Sequence, residues 1–93
     1  MSLSIDVAEY STAAAAAAAL TEAEKASVEV EMKLSPQAGL GDDALWGGNP
    51  EGAIWVARKG KYWLSVTLAG ELGDGGRYRD PLKRLALRAL AKL

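Results

Sequence analysis

The sequence predicts a two-layer α+β domain: a mostly antiparallel sheet of four to five strands, with two helices on one face. Three observations carry that reading. Period-two alternation recurs near the N-terminus, before Pro36 and across residues 53–69. An alanine run at 13–19 and an amphipathic C-terminal stretch read as helices. Glycine, proline and aspartate cluster between them, at 35–52 and 70–76. The order is β-α-β-β-β-β-α, and 93 residues make one domain, 1–93.

The elements follow in chain order. Leu3, Ile5 and Val7 alternate with Ser4, Asp6 and Ala8, a short strand with one aliphatic face. Ser11 or Thr12 caps a helix that runs to about Ala26. Thr21-Glu22-Ala23-Glu24 also fits a capping box, so the helix is expected to kink or restart there. Val28, Val30, Met32 and Leu34 alternate with Ser27, Glu29, Glu31 and Lys33, a two-faced strand that Pro36 ends. Ala44-Leu45-Trp46 is a short strand, and 47–50 a loop. Asp80 caps the last helix with Pro81 in its first position. Leu82, Leu85, Ala86, Ala89, Leu90 and Leu93 form its apolar stripe, with Arg84, Arg88 and Lys92 opposite.

Residues 53–69 form the clearest element, a hairpin. A three-residue loop, Arg58-Lys59-Gly60, pairs Ile54 with Leu64 and Val56 with Tyr62 and collects the large aliphatics on one face. Gly60 then takes the positive φ that such a loop requires. In that register Trp55 lies opposite Trp63 on the other face, with Ser65 and Thr67 beside them. Such a pair stabilises a hairpin by roughly 0.2–1 kcal/mol, or it forms a binding patch, since exposed indoles are costly in water.

Composition narrows the function. The chain has no cysteine and no histidine, which removes thiolate chemistry, the usual general base near neutral pH and the commonest transition-metal ligand. No nucleophile stands beside an evident base, so the chain reads as not an enzyme, with no catalytic residues, no cofactor and no bound metal. Net charge is −1 but split: residues 1–51 carry nine acids and two bases, residues 52–93 three acids and nine bases. The halves are expected to complement each other, within the fold or between copies. No run reaches the 18 or so apolar residues of a membrane span. If the opening Met-Ser-Leu is a cloning remnant, the expected compartment is extracytoplasmic; if it is the native start of a whole chain, it is cytoplasmic.

The remaining motifs read as structure. Gly39-Leu40-Gly41-Asp42-Asp43-Ala44 matches GxGxxA, but Trp46-Gly47-Gly48 blocks the helix that a phosphate site needs, and the aspartates would repel phosphate. Asp42 and Asp43 lack the further oxygen ligands of a Ca²⁺ site. Arg58, Lys59 and Lys61 give the hairpin a basic tip, which near Tyr62 and Trp63 allows stacking of single-stranded nucleic acid, although no base-reading motif accompanies it. The basic last helix is expected to cover the sheet rather than lie on a membrane.

The run from Gly39 to Trp46, with Ile54–Leu68 after it, resembles a pattern in small extracytoplasmic lipoprotein-type domains of actinobacteria: a GLGD-A turn, a strand, an RKG hairpin and an alanine-rich closing helix. The resemblance covers residues 12–93, without the lipobox cysteine, and implies an α+β domain of unknown function, secreted or tethered. The expected function is a non-catalytic interaction or sensing domain, homodimeric through the face bearing Trp55, Trp63, Ser65 and Thr67. Its partner is otherwise an unknown protein or a small ligand. The alternatives are an apolar-ligand domain with its pocket between helices and sheet and, third, a single-strand nucleic-acid binder.

Overall fold

The computed structural model describes residues 1–27 and 33–93. Among these, five strands form one antiparallel sheet: β1 (Ser2–Glu9), β2 (Ser35–Gln37), β3 (Asp43–Asn49), β4 (Gly52–Lys59) and β5 (Tyr62–Ala69). Their spatial order is β1-β5-β4-β3-β2. Two helices complete the fold, α1 (Ala13–Ser27) and α2 (Arg79–Leu90), the second entered through a 3-10 turn at Gly75–Tyr78. The α+β class, the antiparallel sheet and the element order are those the sequence predicts. Most of the alternating strand expected before Pro36 lies outside the described residues. Pro36 itself sits inside β2, which tolerates it as an edge strand.

The helices do not share a face. Trp46, Trp55, Ala57, Leu64 and Val66 point to one side, where Leu82, Ala86 and Leu90 of α2 cover them. Leu45 and Val56, with Ile54 and Trp63, point to the other, under Leu20 and Ala23 of α1 and beside Leu34. The sheet is therefore the middle of three layers. The reason is visible in β4, whose run Ile54-Trp55-Val56-Ala57 has no polar alternation. A strand apolar on both sides needs cover on both.

That second layer also corrects the hairpin register. Lys59 pairs with Tyr62, so the loop is Gly60-Lys61 and not Arg58-Lys59-Gly60. Trp55 lies opposite Val66 and Trp46, and Trp63 lies opposite Arg58. Collecting every large aliphatic on one side is a requirement only when the other side is wet, and here neither is. Gly60 has φ +59° at the first central position, as a two-residue loop of the II′ kind demands. Asp42 secures the loop, its Oδ2 accepting from the Gly60 N–H at 2.7 Å.

Thr12 caps α1, its Oγ1 accepting from Ala15 N at 3.0 Å. The helix runs through Thr21 without restarting, and the Thr21 hydroxyl donates back to Ala17 O at 3.2 Å. β3 extends to Asn49, through glycines that composition assigns to a loop. Asp74, not Asp80, caps the last helical segment: its Oδ1 accepts from Gly76 N at the head of the 3-10 turn. α2 continues directly out of that turn, which leaves Pro81 in its first turn, where no donor is lost.

Candidate interaction surface

The expected aromatic surface is not assembled. Trp55 is 1% exposed and lies under α2. Its Nε1 donates to Arg79 O at 2.8 Å, its ring meets that of Trp46 at 5.2 Å between centroids, and the Arg79 and Lys83 cations stand 5.2 and 5.8 Å from it. Trp63 is on the opposite face, half-buried against the α1 layer. Ser65 and Thr67 share that face, the first buried and the second half-buried. Trp63 thus stays with Ser65 and Thr67 but is separated from Trp55 by the sheet itself.

One property of Trp63 is unusual. Its Nε1 is buried and, among the described residues, has no hydrogen-bond partner. Trp63→Phe is accordingly expected to cost about 1 kcal/mol or less in urea unfolding, because removing an unpaired donor offsets much of the lost contact. A cost above about 3 kcal/mol would contradict that account.

The basic tip is occupied by the protein's own groups. Arg58 donates from Nε and Nη2 to Asp43 Oδ2 at 2.9 and 2.7 Å and from Nη1 to Gly60 O. Lys59 Nζ donates to Leu90 O at 3.1 Å, at the negative end of α2. Lys61 pairs with Glu9 at 3.2 Å. The acidic and basic halves of the chain therefore meet here within one molecule. Gly39 and Gly41, both with positive φ, shape the turn that ends at Asp42, and β3 begins directly after it with Asp43.

A cleft of about 470 Å³ opens between α1 and the 36–45 segment. Leu20, Leu40 and Leu45 line it, with Glu24, Asp42 and Asp43. The volume falls in the usual range for small-molecule sites. Of the carboxylates among its lining, Asp43 is held by Arg58 and Asp42 by the Gly60 N–H.

The exposed apolar feature is β1. All of its residues except Ala8 are exposed. Leu3, Ile5 and Val7 are 51%, 47% and 53% exposed, whereas their neighbours on the same face of β5, Leu68, Val66 and Leu64, are 7%, 0% and 1%. α2 covers β4 and β5, and its cover ends before β1. The strand is also an edge: among the described residues only β5 pairs with it. The phase of that pairing is fixed by Tyr10 N, which donates to Lys61 O at 2.9 Å in the same register. Antiparallel pairs alternate, so even-numbered residues of β1 direct N–H and C=O toward β5. Leu3, Ile5, Val7 and Glu9 direct theirs outward. Among the described residues, the same three thus offer an unpaired hydrogen-bonding edge and an exposed aliphatic row.

The alternation of these residues was legible in the sequence. The bareness of their face was not, because nothing local says which strand ends the sheet. Among the described residues, fold and surface define an α+β sandwich whose β1 edge is open and apolar. No protein-family model, curated protein or solved structure matches the chain.

Proposed function

We propose that the chain is a non-catalytic interaction domain that binds by strand addition at β1. The observation that carries this reading is the coincidence, at Leu3, Ile5 and Val7, of outward backbone groups with half-exposed aliphatic side chains. Edge strands in globular proteins are ordinarily shortened, charged or covered. This one is eight residues long with its apolar row bare, and an added strand satisfies both the backbone and the side chains.

Amide hydrogen exchange with an extended probe peptide of alternating Val and Thr tests the reading. In the free protein the amides of Leu3, Ile5 and Val7 are expected to exchange fast and those of Ser4, Asp6 and Ala8 slowly. The probe is expected to slow the first set, and a version with N-methyl groups on alternate amides is expected not to. Ile5→Pro removes an outward N–H only, so it should abolish the protection while leaving the β1–β5 ladder intact. Equal exchange at Leu3, Ile5 and Val7 with and without probe would refute strand addition.

A further inference from the structure

We propose that the strand added at β1 is β1 of a second copy of this chain, antiparallel, with the two-fold axis at Ile5. The inference rests on strand addition at β1 and names its occupant and register.

The backbone phase restricts the choice. A two-fold axis normal to the sheet sets residue i opposite residue j with i + j constant. Outward groups meet outward groups only when odd residues face odd residues, so the axis must pass through a residue of β1 and not between two. Every such register sets the aliphatic row of one copy against that of the other, on one face. Self-pairing is thus built into the parity of the strand.

Charge and coverage select among the registers. An axis at Asp6 sets two carboxylates directly opposite each other at the closer, non-hydrogen-bonded spacing, about 4.5 Å between Cα atoms. An axis at Val7 sets Ile5 against the partner's Glu9, and an axis at Ser4 sets Val7 against the partner's Met1, outside the strand Ser2–Glu9. The axis at Ile5 pairs Ser2–Ala8 of one copy with the same residues of the other and leaves only Glu9 opposite the partner's Met1. It sets Leu3 against the partner's Val7, Ile5 against the partner's Ile5 and Asp6 against the partner's Ser4. Glu9 enters this arrangement already neutralised by Lys61. The joined sheet has ten strands, and both copies of α2 lie on the side of the combined row of six aliphatic side chains.

Size sets the strength. Residues 1–9 at about 3.4 Å each give an edge about 30 Å long. The molecule is 21 Å through its thinnest dimension. Taken as the width of the contact, that gives a footprint of about 600 Å² per copy, at the low end for a specific interface. The dimer is accordingly weak and concentration-dependent.

The absence of native cysteine makes the register directly readable. Opposed hydrogen-bonded residues lie about 5.5 Å apart at Cα, within the span of a disulfide. Under mild oxidation, Ile5→Cys is expected to cross-link at least about tenfold faster than Leu87→Cys, an exposed control on α2. Leu3→Cys mixed with Val7→Cys should give the mixed disulfide, and neither should cross-link readily alone. Ile5→Lys should convert a wild-type dimer, seen by sedimentation at high concentration, to monomer. Cross-linking of Ile5→Cys no faster than Leu87→Cys would overturn the proposal, as would faster self-linking of Leu3→Cys or Val7→Cys. If the probe peptide still protects Leu3, Ile5 and Val7 in that case, only the second copy is excluded and strand addition stands. If it does not, both fall.

Discussion

Trp55→Ala is expected to remove about 3–5 kcal/mol of stability, enough to unfold much of the population of so small a domain. The indole is the largest fully buried side chain, and it joins three elements at once. From β4 it packs at a tilt of 43° against Trp46 of β3 and donates to the backbone of Arg79 in α2. Ala53 and Ala57 stand beside it on its face and offer little volume to fill the hole. Trp55→Phe keeps most of the packing and loses the donated bond with part of the cation–π contact, at about 1–3 kcal/mol. Urea unfolding followed by far-ultraviolet circular dichroism gives both numbers. A cost below about 1 kcal/mol for Trp55→Ala would show that the sheet and α2 do not depend on this contact.

Gly41→Ala is expected to be comparably damaging, at about 3 kcal/mol or more, for a different reason. Gly41 has φ +63°, a left-handed conformation that costs an L-residue about 1–2 kcal/mol. An added Cβ would also run into the carbonyl oxygen of Arg58. That oxygen accepts from Asp42 N at 2.7 Å, so the turn cannot move aside without opening the clasp of Asp42 and Asp43 on the β4–β5 loop. Gly60→Ala is the matched control. Its φ is +59° and its Cβ would meet open space, so only the conformational cost of about 1–2 kcal/mol applies. Equal losses for the two variants in thermal or urea unfolding would show that the Arg58 carbonyl does not confine Gly41.

These residues also show what the sequence could and could not reveal. Local signals were sufficient for the α+β class and the element order, because alternation, an alanine run and an amphipathic stripe are each written within a few residues. The cap of α1 was legible to within one residue, Ser11 or Thr12, for the same reason. The hairpin register was not, because it depends on whether the second face is wet, and that is decided by α1, some 40 positions upstream in the chain. The unalternated run at Ile54–Ala57 was the available sign. Trp55 and Trp63 were grouped by parity under the wrong register, and a shift to the observed pairing puts them on opposite faces. The basic tip looked free because its acidic partners, Glu9, Asp42 and Asp43, come from distant turns and strands.

The placement of β1 has a consequence for the order of events in folding. β3, β4, β5 and α2 are contiguous along the chain and meet through short connections, so they can close on one another early. Among the described residues β1 pairs only with β5, and its register spans some 50 to 70 positions. It is made before the other elements described and is expected to find its place last. Until β5 emerges, its inward backbone groups have no strand to pair with, and the loop that must close to dock it is the longest in the fold. The N-terminal arm should therefore add slowly to a preformed C-terminal unit, and unfolding should begin with its release.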